Sequence, residues 1–299
     1  MKVLGHEKQK EILKKMAASG KIPHALLFSG PEKIGKKKLA KEFVKLLNCE
    51  KSSACGKCTA CNQIESGEYP DLFLIESEDE IKIGEIRELQ KRLSLTGRKK
   101  NFFKTAIIDN AHLLNSQAQS CLLKTLEEPK GKTLIILITQ HPKMLLDTIL
   151  SRVGEIKLSP VGSDLIRKEI ERRGVDKKEA ERVVKIASSK PGLAFKIIEG
   201  DEEFKKKWLK MSRDLNKLKK ADLKERFDYV GEMSEDGDGA KETLKIWLSV
   251  LREEMIKSEN GKESERLRKS LKVMEETLFL ISKTNVNLKL ALERVIINL

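Results

Sequence analysis

Five short apolar runs punctuate the first 160 residues, at 24–29, 71–76, 104–109, 133–139 and 155–158. Each is too short for a core helix, and stretches with helical periodicity separate them, as at 35–47 and 116–126. A parallel strand reads as a continuous apolar run because helices cover it on both faces. Residues 1–160 are therefore predicted to form a doubly wound α/β domain around a five-stranded parallel sheet. Beyond Pro160 the strand pattern stops. Amphipathic helices are expected at 164–173, at 177–188 and after Pro191-Gly192, which makes 161–203 a small helical domain. Residues 204–299 keep helical periodicity through Trp208, Leu215, Phe227, Leu244, Trp247 and Leu251, so they form a third, all-helical domain, broken by a turn-rich stretch at 234–239.

The first strand runs into Gly30-Pro31-Glu32-Lys33-Ile34-Gly35-Lys36-Lys37, a G-x4-G-K pattern followed by lysine. A loop that cradles phosphates needs glycines that turn tightly, N–H groups at a helix start, and a lysine. Gly30, Gly35, Lys36 and Lys37 thus mark a candidate nucleotide site. The residue after the first lysine ordinarily carries a hydroxyl that holds magnesium, but Lys37 stands there, and an ammonium cannot ligate a cation. The acid expected at the end of a later strand is Asp109, yet Asn110 fills the next position, where a carboxylate would polarise water. These two departures remove both the magnesium ligand and the water-activating group. Magnesium-assisted hydrolysis is not expected, and the loop is either a residual fold or a site that binds ATP or ADP without turnover.

Of the five cysteines, Cys49, Cys55, Cys58 and Cys61 fall within thirteen residues as C-x5-C-x2-C-x2-C. In a reducing cytoplasm, four close thiols suit a closed tetrahedral zinc site better than disulfides. Cys121 stands alone in an apolar helical stretch and reads as core. Sixty Lys and Arg against 46 Asp and Glu leave a net charge of +14, which suits a nucleic-acid neighbour and equally suits the ion-pair networks of a thermophile's protein. The basic runs Lys36, Lys37, Lys38 and Arg98, Lys99, Lys100 read as phosphate contacts or as solvated faces, with neither favoured. Thirteen aromatics, none clustered beside basic residues, argue against a base-stacking platform. Glu127 and Glu128 are helix neighbours about 100° apart and do not converge on one reacting atom. No apolar run of about 18 residues could cross a bilayer, and the first residues reach charge before a signal-peptide core could form. A cytoplasmic protein with no membrane partner is expected.

Several blocks together resemble one family. Residues 22–31, Ile-Pro-His-Ala-Leu-Leu-Phe-Ser-Gly-Pro, are similar to the entry to the sheet in the bacterial clamp-loader AAA+ family. The cysteine cluster sits where that family inserts a zinc module, although the family more often has eight residues between the first two cysteines and this chain has five. Residues 122–129, Leu-Leu-Lys-Thr-Leu-Glu-Glu-Pro, resemble a helix-ending signature of the family, and Ser151-Arg152-Val153 resembles its Ser-Arg-Cys segment with valine for cysteine. Residues 284–293 are similar to its last collar helix.

The resemblance implies an AAA+ module, a helical lid and a collar that drives oligomerisation. Motor subunits of the family keep the loop hydroxyl and the Asp-Glu pair, whereas the delta-prime branch often loses both, and this chain resembles that branch. Leu193 occupies the place of a nucleotide-sensing arginine in the motors. The resemblance further implies a stator in a five-subunit ring with delta and the gamma/tau motors, part of the DNA polymerase III holoenzyme, loading a sliding clamp onto primed DNA. Arg152 is then catalytic in trans, a finger aimed at the neighbouring motor's γ-phosphate. Spacing alone would instead make Arg152 a surface residue paired with a carboxylate. No acidic cluster suggests polymerase chemistry in the chain itself. Two other readings stay open: an ATP-hydrolysing motor-type subunit, and a stand-alone zinc-containing DNA-binding protein.

Overall fold

In the computed structural model the described residues are 3–94, 103–129, 131–187, 189–200, 202–258, 260–284 and 286–299. They divide into two compact units, Met1–Gly162 and Ser163–Leu299. The division falls where the strand pattern ends.

In the first unit, α1 (Glu7–Ser19) precedes β1 (Ala25–Ser29), and α2 (Lys36–Asn48) and α3 (Thr59–Ser66) lead to β2 (Leu72–Ile75). Next come α4 (Ile83–Ser94), β3 (Lys104–Ile108), α5 (Ser116–Glu127), β4 (Thr133–Thr139), the one-turn α6 (Asp147–Leu150) and β5 (Gly154–Lys157). Among the described residues the strands form one five-stranded sheet in the order β2-β3-β4-β1-β5, every neighbour parallel. Successive strand residues point to opposite faces, and both faces are covered. Leu26, Phe28, Ile136 and Ile138 pack with Leu13 of α1, Leu39 and Phe43 of α2 and Ile64 of α3. Ala25, Leu27, Ile135 and Leu137 pack with Ile86 and Leu89 of α4, Leu122 and Leu126 of α5 and Ile149 of α6. This double burial is why β1, β3 and β4 read as apolar runs, whereas the edge strand β5, Gly-Glu-Ile-Lys, buries Ile156 alone.

The second unit is helical: α7 (Ser163–Arg172), α8 (Lys177–Ala187), α9 (Pro191–Glu199), α10 (Glu202–Leu218), α11 (Leu223–Met233), α12 (Gly237–Lys257), α13 (Gly261–Lys283) and α14 (Leu288–Ile297). The predicted end of the second helix, residue 188, lies outside the described residues. Trp208, Leu215, Leu244, Trp247 and Leu251 are buried as their periodicity requires, and Phe227 is half-buried. Trp247 stacks on Tyr229 with ring centroids 5.9 Å apart and donates its indole N–H to the Met211 carbonyl at 2.9 Å. The expected turn at 234–239 is shorter than the sequence suggests. Asp236 accepts the Gly239 N–H and caps α12, so Gly237, Asp238 and Gly239 form the first turn of a 21-residue helix. Cys121 is half-buried and packs against the sheet's core, its thiol directed at Gln90 Oε1 at 3.4 Å. Among the described residues no helix is long and apolar enough to cross a membrane.

Candidate functional site

β1 delivers the chain into the glycine loop at the carboxyl end of the sheet. The Gly30 N–H donates to the Thr139 carbonyl at 3.2 Å, tying the loop base to the end of β4. Gly30 has φ 138°, and a Cβ there would collide with the Leu158 carbonyl, so a side chain is excluded on two counts. Gly35, at φ 101°, starts α2. Lys36 is 8% exposed and turns back on the loop, donating to the Gly30 carbonyl at 2.6 Å and the Pro31 carbonyl at 2.5 Å. Lys37 pairs with Glu76, the residue after β2, although β3 and β4 separate β2 from β1 in the sheet. The position of the usual hydroxyl thus holds an ammonium already committed to a carboxylate.

Asp109 follows β3, half-buried, and its Oδ1 accepts the Asn110 N–H at 3.0 Å. Asn110 adopts a left-handed conformation at φ 52°, which asparagine tolerates, and donates through Nδ2 to the Ser77 carbonyl at 3.0 Å. Its amide works as a structural tie; it has no carboxylate oxygen for activating water. Sequence reasoning missed Thr139, whose hydroxyl oxygen accepts the His141 N–H at 2.9 Å and lies 3.2 Å from His112 Nδ1. Arg98, Lys99 and Lys100 lie outside the described residues, and Lys38 is exposed.

The cysteines gather where α2 ends. Cys49 terminates α2, Cys58 caps α3 and Cys61 lies in its first turn, while Ser52, Ala54 and Gly56 take positive φ and fold the intervening chain into a tight knuckle. The four sulfurs all lie within 4.8 Å of one another. A tetrahedral zinc with Zn–S near 2.3 Å needs sulfur separations of about 3.8 Å, so the set fits such an ion closely. Backbone N–H groups of Cys55, Lys57 and Cys58 point at Cys49 and Cys55 sulfurs at 3.4–3.5 Å, the donors a thiolate pair needs. Burial acts to raise the Cys49 thiol, but backbone donors at Cys55, Ser53 and Lys51 carry it down to about 6. Donors at Lys57 and Cys58 lower Cys55, and burial pushes Cys61 up to about 12. Buried Lys45 of α2 bridges Glu42, at 2.9 Å, and Glu65 of α3, docking the cysteine-bearing lobe to the helix behind the glycine loop.

Arg152 sits between α6 and β5 and is far from the chain's own loop. Gly154 pairs with Leu26 near the start of β1, and Lys157 pairs with Ser29 at its end. The arginine therefore lies at the amino edge of the strands, the loop at the carboxyl edge. Its Nη2 pairs with Glu127, the last residue of α5, at 2.9 Å, and its Nη1 donates to the Thr148 carbonyl at 2.9 Å and Ser151 Oγ at 3.2 Å. Sequence reasoning named a carboxylate partner in general terms; the particular residue has no local signal.

The segment carrying Arg152 is anchored by Gln119, only 6% exposed. Its amide donates to the Leu114 carbonyl at 3.0 Å and the Met144 carbonyl at 3.2 Å, and its oxygen accepts the Leu146 N–H at 2.8 Å. Truncating it leaves three backbone groups on two segments without this partner. Gln119→Ala should lower unfolding free energy by about 2 kcal/mol, read by urea denaturation; a loss below about 0.5 kcal/mol would mean that water replaces the amide.

An all-parallel sheet with a glycine loop at its carboxyl edge, a cysteine lobe inserted after the loop helix and helices following the sheet is the architecture that the resemblance to the clamp-loader AAA+ family implies. Comparison with known proteins narrows this. The family described as DNA polymerase III, delta subunit, matches residues 5–162, and the chain belongs to it. The chain is 38% identical over 144 residues to DNA polymerase III subunit delta' of Bacillus subtilis, covering 47% of this chain and 44% of that protein. It is 34% identical over 154 residues to subunit delta' of Pseudomonas aeruginosa, covering 48% and 45%. Subunit tau of Escherichia coli is equally similar, 35% identical over 172 residues, covering 56% and 27%. The matched regions are thus under half the length of each of these relatives. A gamma subunit-related protein of DNA polymerase III from Thermotoga maritima shares the fold over 97% of both chains, with a TM-score of 0.56 and 22% identity.

Proposed function

We propose that this chain is a delta-prime-type stator of the DNA polymerase III clamp loader. The observation that carries this is the separation across the sheet: at the carboxyl edge Lys37 is paired with Glu76 and Asn110 is tied to the Ser77 carbonyl, while the exposed arginine stands at the amino edge, out of reach of its own loop. Lys37 and Asn110 disable magnesium-assisted turnover in cis. A guanidinium that serves a nucleotide from the amino edge serves it on a neighbouring subunit. Arg152 is accordingly the catalytic residue, acting in trans on the γ-phosphate held by a gamma/tau motor.

In this reading residues 161–203 are the lid and 204–299 the collar that joins delta and the motors in a five-subunit ring, with sliding clamp and primed DNA engaged through the complex. Cys49, Cys55, Cys58 and Cys61 would hold a structural zinc ion that fixes the lobe and leaves no coordination position open for catalysis. Gly30, Gly35, Lys36, Lys37 and Asp109 keep the shape of a nucleotide site; any ATP or ADP there binds without magnesium-dependent turnover. The protein works in the cytoplasm at the replisome.

The test is ATPase activity. The isolated chain with ATP and magnesium should give no turnover above buffer, and a complex reconstituted with delta, motors, clamp and primed DNA should depend on this chain for its full rate. Turnover by the isolated chain would replace the stator with a motor-type subunit.

A further inference from the structure

We infer that Glu127 is a positioning residue that latches Arg152 in a retracted state and competes with the anion the arginine serves; this rests on the trans-acting role proposed above. Glu127 Oε1 holds Nη2 at 2.9 Å, while Nη1 is turned back along its own chain to the Thr148 carbonyl and Ser151 Oγ. Both terminal nitrogens of the guanidinium fork are thereby engaged within the chain. One anionic carboxylate oxygen occupies Nη2, a donor that a phosphate oxygen would also use, so the carboxylate competes with that ligand for the same prong of the fork. The two side chains remain 37% and 50% exposed, so nothing covers the pair and an incoming phosphate can displace the carboxylate.

The segments on either side are rigid enough for the pair to behave as a switch between two partners. Glu127 ends α5, whose Leu122 and Leu126 are buried in the sheet's core, and α6 is pinned through Ile149 and Gln119. Exchange therefore requires only side-chain rotation. An exposed ion pair opposes that rotation weakly, enough to reduce the competent population about two- to five-fold. The latch keeps the arginine from capturing stray anions or misplaced carboxylates and releases it to a doubly charged phosphate group presented at the right distance.

The experiment has two arms. In the free chain, modification of Arg152 by phenylglyoxal is followed by peptide mass spectrometry in wild type and Glu127→Gln, with Arg213 as internal reference. The latch predicts a two- to five-fold faster modification of Arg152 in Glu127→Gln, and acceleration by salt in wild type alone, because screening acts on the pair and not on packing. In the reconstituted clamp loader with this chain saturating, the single-turnover ATPase rate should rise by up to the same factor in Glu127→Gln, with the concentration of this chain needed for assembly unchanged. Arg152→Ala should remove the stimulation in either background. Equal Arg152 reactivity in wild type and Glu127→Gln overturns the latch. So does faster modification with no rise in the single-turnover rate. Full ATPase with Arg152→Ala instead overturns the trans-acting reading, while the free-chain arm still reports on the pair.

Discussion

Arg152→Ala in an otherwise intact clamp loader should lower ATP turnover at the interface it serves by about a thousand-fold, the scale on which a guanidinium supplied in trans stabilises charge in phosphoryl transfer. Arg152→Lys should recover little of this, since an ammonium keeps the charge but not the two-pronged geometry. Assembly should survive. The residue is exposed and its pair with Glu127 contributes only about 0.2–1 kcal/mol, so gel filtration should recover the mutant complex with the wild-type complement of subunits. The loss should fall on kcat at saturating ATP, because an interaction made chiefly in the transition state leaves ground-state binding almost untouched. Motor sites elsewhere in the ring would sustain residual turnover, so single-turnover measurement gives the cleaner number. A mutant complex with wild-type turnover would remove Arg152 from the mechanism.

Metal removal should have the second large effect. The purified protein should carry one zinc ion per chain, and cobalt substitution should give the absorption of tetrahedral thiolate coordination. Stripping the ion leaves four thiols at one point with partial charges that repel, and leaves the knuckle without its centre. A loss of about 3–5 kcal/mol is expected, which lowers the melting temperature by about 10 °C in a chain of this size. Cys61→Ala should reproduce the effect, because Cys61 is buried and anchors α3 against the sheet through the same turn that buries Ile64. Cys121→Ser, outside the cluster, should retain the zinc. A chelated sample with an unmoved melt would show that Lys45, Glu42 and Glu65 hold the lobe without the ion.

The parts of this molecule that local chemistry specifies are legible in its sequence. The run at 133–139 is β4 with those same bounds because seven consecutive residues are buried, β-branched threonines at the two ends included, so no exposed position blurs the ends. The glycine loop is legible because its requirements are stereochemical: φ 138° at Gly30 leaves glycine as the residue that fits. The cysteine cluster is legible because its ligands are close in the chain as well as in space. The features that sequence reading misses depend on contacts between distant segments. Neither Lys37 with Glu76 nor Arg152 with Glu127 leaves a periodic trace, and Gln119 looks like any helical glutamine until its three partners converge. The start of α12 departs from expectation for a different reason. Gly237-Asp238-Gly239 has turn composition, but the cap from Asp236 and the long apolar stripe behind it outweigh the glycines' preference for other conformations.

Lys36 spends its ammonium on the carbonyls of Gly30 and Pro31. A phosphate reaching that ammonium would have to displace both carbonyls first, so the loop as folded sets a competitor from its own backbone against any guest.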